Sequence, residues 1–360
     1  MKVLSVVGTR PNFIKMAPII RELLVREIQH VLVHTGQHYD KELSQIFLKE
    51  LRMPKLDYSL DVGSGSHGYQ IGEMLKKLEE VIIKEVPDFV MIPGDTNTSL
   101  AGALASSKIN NVKTCHIEAG LRSFDKTMPE EINRILIDHC SDELFCPTIT
   151  AVENLKKEGI PEDMVHQVGD TMVDACYDHL ELAKQSSISE KYEIEDEYYL
   201  ITVHRAENTD NKKRLEGIVS AFSEMDRMLI FPIHPRTKKK LIEFGMWDKI
   251  NNIEGMQLLE PVGYLDFLFL LSNAKLMITD SGGVQKESFL LNVPCVTLRD
   301  NTEWIETLKL NMNILVGADT QAILEGARKM LGSKITPKIN PYGNGKAAKR
   351  IVDVLIKNEN

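Results

Sequence analysis

Thr279-Asp280-Ser281-Gly282-Gly283-Val284-Gln285-Lys286-Glu287 follows the apolar run 274–278 and precedes a helix-like segment at 286–291. A strand, a Ser-Gly-Gly turn and a helix start bring several backbone N–H groups to one point. That point also carries the positive end of the helix dipole, which suits a phosphate. The two glycines allow close approach because no Cβ intervenes. Glu287, one helical turn in, is near enough to reach a sugar hydroxyl beside that phosphate. No Gly-x-x-x-x-Gly-Lys-Ser/Thr string occurs in the chain, so the turn reads as a nucleotide-sugar site rather than a triphosphate site. Taken alone, a plain strand-to-helix turn with an Asp or Ser N-cap would look the same.

Working outward, short apolar runs alternate with longer helical patterns: 3–7, 31–34, 89–92, 113–117 and 143–146, then 199–203, 228–233, 256–258, 276–279, 295–298 and 313–316. Most are continuous rather than alternating in polarity, as strands covered on both faces require. The repetition of strand, helix and strand predicts parallel sheets with right-handed crossovers. A break at about 165–197 contains the polar segment Lys184-Gln185-Ser186-Ser187-Ile188-Ser189-Glu190-Lys191. The expected organisation is a Rossmann-like domain over 1–170 and a second over 171–345, with a helix at 346–360 crossing back to the first. In such α/β sheets ligands sit outside the carboxyl ends of the strands. Polar clusters at strand ends of both halves predict a cleft between two facing domains.

The 360 residues suit two domains, and 43% hydrophobic content is ample for two cores. A formal net charge of −9 without a basic stripe excludes nucleic acid as the expected partner. The five cysteines form no Cys-x-x-Cys pair, which reads as reduced thiols in a cytoplasmic protein. The N-terminal run is too short for a signal peptide, and no apolar run approaches a membrane span.

The polar clusters carry the chemistry. Gly8-Thr9-Arg10-Pro11-Asn12-Phe13-Ile14-Lys15 follows the first strand. Pro11 suits the first position of a helix, which sets Arg10 and Lys15 near a helix start where they can meet a phosphate or carboxylate. Gly-x-Gly-x-x-Gly is missing, which disfavours a dinucleotide cofactor. His34-Thr35-Gly36-Gln37-His38-Tyr39 has two imidazoles four apart, but Gly36 sits between them in a turn. Polar contact of His38 with a ligand is the preferred reading over a metal site. Pro93-Gly94-Asp95-Thr96 puts a carboxylate at a strand end, as an acid or base or as an N-cap. His116-Ile117-Glu118-Ala119-Gly120-Leu121-Arg122 pairs His116 and Glu118 on one face of an extended segment. It lacks the Pro-Cys-x-x-Cys of a zinc deaminase. In Met128-Pro129-Glu130-Glu131-Ile132-Asn133-Arg134 the two glutamates share the first turn of a helix and cannot both face one way. Arg134 shares a helix face with them. In the second half, Val203-His204-Arg205-Ala206-Glu207-Asn208, Ile233-His234-Pro235-Arg236-Thr237 and Arg299-Asp300-Asn301-Thr302-Glu303-Trp304 follow strands in turn.

Together these clusters resemble the non-hydrolysing UDP-N-acetylglucosamine 2-epimerase family, from Gly8-Thr9-Arg10-Pro11 to Tyr342-Gly343-Asn344-Gly345. The resemblance implies a GT-B-type fold of two Rossmann-like doubly wound domains with UDP in the interdomain cleft. It also implies C2 epimerisation of a UDP-2-acetamido sugar with no metal and no added cofactor, and a homodimer. Asp95, Glu118 and Glu131 resemble the acid/base carboxylates, with His204 beside them as a further catalytic candidate. His204, Ser281, Gly282 and Gly283 resemble the diphosphate contacts, with Arg10 at the same site. Glu287 resembles the ribose ligand and Phe267 the uracil contact. Lys15, His38, Arg122, Arg134, Arg205, His234 and Arg299 complete the expected substrate-binding set. The C2–H adjoins no carbonyl, so the implied path loses UDP from C1 as C2 is deprotonated. It then re-adds UDP with the proton delivered to the other face. That requires a base, an acid and donors on the leaving diphosphate.

The common enzymes tend to read His-Arg-Arg-Glu-Asn and Thr-Glu-Arg-Pro-Glu, where this chain has Ala206 and Trp304. A planar cation is thereby lost and a large apolar face gained. With Phe145-Cys146-Pro147-Thr148 and Val168-Gly169-Asp170, these departures resemble the branch acting on UDP-2,3-diacetamido-2,3-dideoxyglucuronate. The loop Gly63-Ser64-Gly65-Ser66-His67-Gly68 is of a type shared with archaeal UDP-N-acetylglucosamine epimerases. UDP-N-acetylglucosamine epimerisation and GT-B glycosyl transfer are the alternatives.

Overall fold

The computed structural model describes residues 1–37, 51–194, 197–332 and 340–359. The chain divides into two compact units, Met1–Tyr177 with Pro341–Asn360, and Asp178–Asn340.

The first unit is built on a seven-stranded sheet in the order β3-β2-β1-β4-β5-β6-β7. Its strands are β1 (Lys2–Val7), β2 (Gln29–His34), β3 (Tyr58–Ser59), β4 (Phe89–Pro93), β5 (Lys113–Ile117), β6 (Glu143–Cys146) and β7 (Val165–Gln167). All adjacent pairs are parallel. The crossover helices include α1 (Arg10–Val25), α2 (His67–Glu85), α3 (Asn97–Ser106), α4 (Pro129–Cys140), α5 (Ile149–Lys157) and α6 (Thr171–Ala183). Two strands escaped the sequence reading. β3 is only two residues long, and β7 is an edge strand whose Val-His-Gln is not fully buried on either side.

α2 starts at the N-cap Ser66, whose side chain accepts from the Tyr69 N–H, and ends at Val86 in the left-handed region. It buries Gln70, Met74, Leu78, Val81 and Ile82, a stripe at helical spacing. That stripe packs on α3, where Ala101, Gly102, Ala103 and Ala105 allow a close approach to the sheet. The last helix, α12 (Ala347–Glu359, numbered after the second unit's helices below), packs on α1. The Asp174 carboxylate accepts from the Ala347 and Ala348 N–H groups at 3.1 and 2.9 Å, and Arg26 pairs with Asp353 at 2.6 Å.

The second unit has a six-stranded parallel sheet in the order β10-β9-β8-β11-β12-β13. Its strands are β8 (Tyr198–Thr202), β9 (Met228–Pro232), β10 (Met256–Leu259), β11 (Leu276–Thr279), β12 (Cys295–Thr297) and β13 (Asn313–Leu315). Its main helices are α7 (Lys212–Ser223), α8 (Pro235–Glu243), α9 (Tyr264–Asn273), α10 (Gly282–Leu290) and α11 (Thr320–Leu331). Alternate residues of β8 enter two different cores. Tyr199 and Ile201 meet Phe222, Phe231 and Ile323, while Tyr198 and Leu200 meet Phe267, Leu271 and Met277. Burial on both faces is why the strands read as continuous apolar runs.

Both units are thus Rossmann-like, doubly wound α/β units of the GT-B type. In each, the strand order reverses between a first and a fourth strand, β1/β4 and β8/β11. Ligands of open α/β sheets bind beyond the carboxyl ends of the strands at that reversal. Among the described residues no helix is long and apolar enough to cross a membrane.

Candidate active site

In the first unit, β4 runs into Gly94 at φ +69, whose N–H donates to the Ile117 carbonyl of β5 at 2.9 Å. A Cβ on Gly94 would meet only the mobile end of Lys15, Nζ at 2.8 Å, so the positive φ rather than space is what calls for glycine here. Asp95 follows. Its backbone carbonyl accepts from Asn133 Nδ2 at 2.9 Å, and its carboxylate pairs with Arg134 Nη2 at 2.6 Å. Thr96 rather than Asp95 caps α3, through its Oγ and the Ser99 N–H at 3.3 Å. Asp95 is therefore released from a capping role, and its side chain stays 27% exposed.

α4 begins at Pro129, and its first turn separates the two glutamates. Glu131 is buried and Glu130 only partly so. The Glu131 carboxylate accepts from four donors: the Ser123 N–H (2.9 Å) and Oγ (3.0 Å), the Phe124 N–H (2.8 Å) and Arg134 Nη1 (2.7 Å). Arg134 thus bridges Asp95 and Glu131. The third carboxylate, Glu118, pairs with Lys15 of α1, and both side chains are largely buried. Glu118 adopts φ +75, a region that costs an ordinary residue free energy. The turn is held because the Glu118 and Ala119 N–H groups both donate to the Phe145 carbonyl at 3.1 Å. A left-handed non-glycine residue over-determined by its surroundings is a common feature of functional turns.

The left-handed turn also corrects one expectation. His116 and Glu118 do not share a face of one extended segment, because β5 ends at Ile117. His116 is fully buried, with Nδ1 2.6 Å from Asp138 Oδ1 and Nε2 2.9 Å from the Gly94 carbonyl oxygen. Arg122 is also buried. It pairs with Asp138 at 2.7 Å and takes Glu158 in a two-pronged contact at 2.7 and 2.6 Å. Arg122 therefore braces the Glu118 turn from behind. Burial alone would push the Asp138 carboxyl up, but His116 and Arg122 together hold it below its ordinary range. Arg10 opens α1, and its side chain, like His38, lies outside the described residues.

The second unit gathers its polar residues at β8 and β11. Asp280 is completely buried and accepts from the His204 N–H at 3.1 Å, the Arg205 N–H at 3.0 Å and Asn208 Nδ2 at 3.1 Å. It shapes the turn that presents His204. The His204 ring is 39% exposed, with Nδ1 3.7 Å from Asp280 and its centroid 5.6 Å from that of His234. His234 caps α8, its Nδ1 accepting from the Arg236 N–H at 3.1 Å, so its proton is on Nε2. α10 begins at Gly282, four residues before the segment read as helical. Its N-cap Ser281 makes no side-chain capping bond, which leaves the hydroxyl and the first-turn N–H groups for a ligand. A Cβ on Gly282 would collide with Glu303, whereas one on Gly283 would meet open space. Glu287 is buried in α10, and Phe267 is buried in the core beside Leu270 and Leu271.

The loop after β12 covers the first turns of α10. Gln285 Oε1 accepts from Thr302 Oγ1 at 2.8 Å and from Asn313 Nδ2 at 3.1 Å. Arg299 is buried and pairs with Glu303 at 3.0 Å. Trp304 is buried, and Lys286 Nζ stands 3.8 Å from its ring centroid. The sequence reading missed Asp138, Asn208 and Asp280 as the residues that hold these turns. The available signal for Asp138 was an acid adjoining Ile137 on the buried face of α4.

A family model described as UDP-N-acetylglucosamine 2-epimerase matches residues 22–356. A Methanococcus maripaludis protein named UDP-N-acetylglucosamine 2-epimerase homolog is 50% identical over 99% of both chains. The Pseudomonas aeruginosa UDP-2,3-diacetamido-2,3-dideoxy-D-glucuronate 2-epimerase is 45% identical over 99% of this chain and all of that one. The crystal structure of the Methanocaldococcus jannaschii UDP-GlcNAc 2-epimerase, in complex with UDP-GlcNAc and UDP, superimposes with a TM-score of 0.95. It is 49% identical, covering 99% of this chain and 100% of that one. With its two doubly wound units and its motifs in family order, the chain belongs to the UDP-N-acetylglucosamine 2-epimerase family, a family of isomerases.

Proposed function

We propose that this chain inverts C2 of UDP-N-acetylglucosamine without hydrolysing it. The second unit takes the diphosphate on the N–H groups and hydroxyl at the start of α10, with His204 as a further donor. Glu287 takes the ribose. In the first unit Asp95 and Glu118 exchange protons with C2. One removes the C2 proton as the C1–O bond to UDP breaks, leaving a glycal with a C1–C2 double bond. UDP then re-adds at C1 while a proton is delivered to the opposite face of C2, so UDP and the proton are both recovered. The observation carrying this reading is that two carboxylates at strand ends are each held by a separate cation, Asp95 by Arg134 and Glu118 by Lys15. The four donors on Glu131 support a different role for that residue. With both oxygens occupied, it orients Arg134 and the 123–124 turn.

The choice of sugar rests on two observations. The M. maripaludis and M. jannaschii proteins are more similar to this chain than the Pseudomonas enzyme is. Trp304, read in the sequence as a large apolar face in place of a cation, is buried under Lys286 rather than exposed. The diacetamidoglucuronate reading keeps the support of a full-length relative at 45% identity and of Ala206 standing where the common enzymes tend to carry an arginine. Side-by-side kcat/KM measurements decide between them. The expected result is a value at least about tenfold higher on UDP-N-acetylglucosamine, equivalent to ~1.4 kcal/mol of transition-state discrimination. A higher value on the diacetamido uronate would reverse the assignment of sugar and leave the epimerase chemistry standing.

A further inference from the structure

His116 is a fully buried ionisable side chain of the first unit that the chemistry above does not use. Its ring is fully buried at the end of β5, between Asp138 Oδ1 at 2.6 Å and the Gly94 carbonyl oxygen at 2.9 Å. A carbonyl oxygen can only accept, and so can an ionised carboxylate. Both ring nitrogens therefore face acceptors. The groups facing the ring are Asp138 of α4 and the Gly94 carbonyl, with Arg122 on the far side of Asp138 and Glu158 beyond it. The Cys146 thiol of β6 lies within the same field, pushed up by burial and by Asp138.

The two bonds join two turns. Gly94 immediately precedes Asp95. Asp138 accepts from the Gly120 N–H at 3.1 Å, two residues after Glu118. We propose that His116 is a positioning residue, held as an imidazolium, that sets the turn bearing Asp95 against the turn bearing Glu118. A ring with one proton would surrender one of the two bonds and free one turn from the other. A displacement of about 1 Å in a group that must meet C2 is enough to cost on the order of 100-fold in rate. The inference deepens the epimerase reading and rests on it for its kinetic consequence, but not for the protonation state.

The test combines NMR with kinetics on the intact chain. Nitrogen-15 spectra of histidine-labelled protein at pH 7.5, with His116→Gln assigning the resonance, are expected to show both His116 nitrogens protonated. His116→Asn retains a donor toward Asp138 and His116→Gln one toward Gly94. Each is expected to lower kcat by about 10- to 100-fold, with the affinity for UDP alone, measured by calorimetry, unchanged within about twofold. Combining His116→Asn with Asp95→Asn should slow the enzyme little beyond Asp95→Asn alone, because a residue acting through Asp95 has nothing left to position. An unprotonated ring nitrogen in the wild-type spectrum overturns the proposal even if the variants fail to fold. So does full kcat in both folded variants, or fully multiplicative losses in the double variant. If the wild type exchanges no C2 proton, the functional reading fails, and the NMR result alone decides the state of His116.

Discussion

Asp95, Glu118 and Glu131 are alike in chemistry and differ in what surrounds them. Asp95 pairs with Arg134 and is still partly exposed, Glu118 pairs with Lys15 on a left-handed turn, and Glu131 accepts from four donors with almost no exposure. Replacing Asp95 by Asn or Glu118 by Gln is expected to lower kcat by about 100-fold or more, the scale of lost acid/base catalysis. Glu131→Gln is expected to lower kcat as well, but also to destabilise the fold by about 1–3 kcal/mol. The new amide N–H₂ would face N–H donors and leave buried groups unpaired. Denaturant titration alongside steady-state kinetics separates the cases. An Asp95→Asn variant that loses as much stability as Glu131→Gln would show that the division of roles is wrong. At this scale the sequence was only partly legible. Helical geometry told that Glu130 and Glu131 diverge, but nothing local told which carboxylate would be saturated. The donors on Glu131 come from a turn at 123–124 that has no pattern of its own. The partner of His116 is likewise 22 positions away.

The central elements announce themselves because a strand buried on both faces reads as a mostly apolar run, and at 113–117, 143–146 and 276–279 the expected and observed bounds coincide although Lys113, His116 and Glu143 interrupt the apolar character. The edge strands β3 and β7 carry no such signature, since burial does not constrain them. The turns between elements are decided by contacts distant in sequence. Gly120 is an example, lying at φ +78 with its Cβ position occupied by the Ala151 carbonyl. Gly120→Ala is expected to cost more than about 2 kcal/mol, the left-handed penalty of ~1–2 kcal/mol plus the clash, and urea unfolding checks it. A loss under about 0.5 kcal/mol would mean that the turn relaxes freely. The first sheet also sets a pH response. Burial holds the His30 ring down at about 4, against an opposing pull from Asp57, and lowers His34 as well. The unfolded chain therefore binds more protons between pH 6.5 and about 4, and stability falls as pH falls through that window. His30 alone contributes on the order of 3 kcal/mol across that window, since each pH unit is worth ~1.4 kcal/mol per proton. Melting temperatures between pH 7 and 4 should drop less steeply for His30→Gln than for the wild type. Equal slopes would refute the assignment.

Across the whole molecule, one architectural device is used twice: a parallel sheet whose order reverses beside its first strand, with the polar turns gathered at that reversal. The first unit supplies carboxylates and cations. The second supplies a glycine-rich helix start and a histidine presented by a buried aspartate. Ser281→Ala and His204→Ala should each weaken UDP by about 1.5–3 kcal/mol, the range for hydrogen bonds to a charged group. Unchanged affinity by calorimetry in both variants would make the turn purely structural. The two-fold repetition was legible in the sequence because each half restarts the strand–helix alternation, and the motif at 279–287 was legible because its residues are contiguous. The choice of sugar was not, since Trp304 reads as an apolar face in the sequence and is buried beneath Lys286 in the fold. The central claim is reversible proton exchange at C2 with UDP retained. It is tested most directly by incubating the protein with UDP-N-acetylglucosamine alone in D₂O and examining the recovered nucleotide sugar. Deuterium at C2 in both epimers, with no net loss of UDP sugar, is the predicted result. Recovery of undeuterated UDP-N-acetylglucosamine, or its conversion to UDP and free sugar, would contradict it.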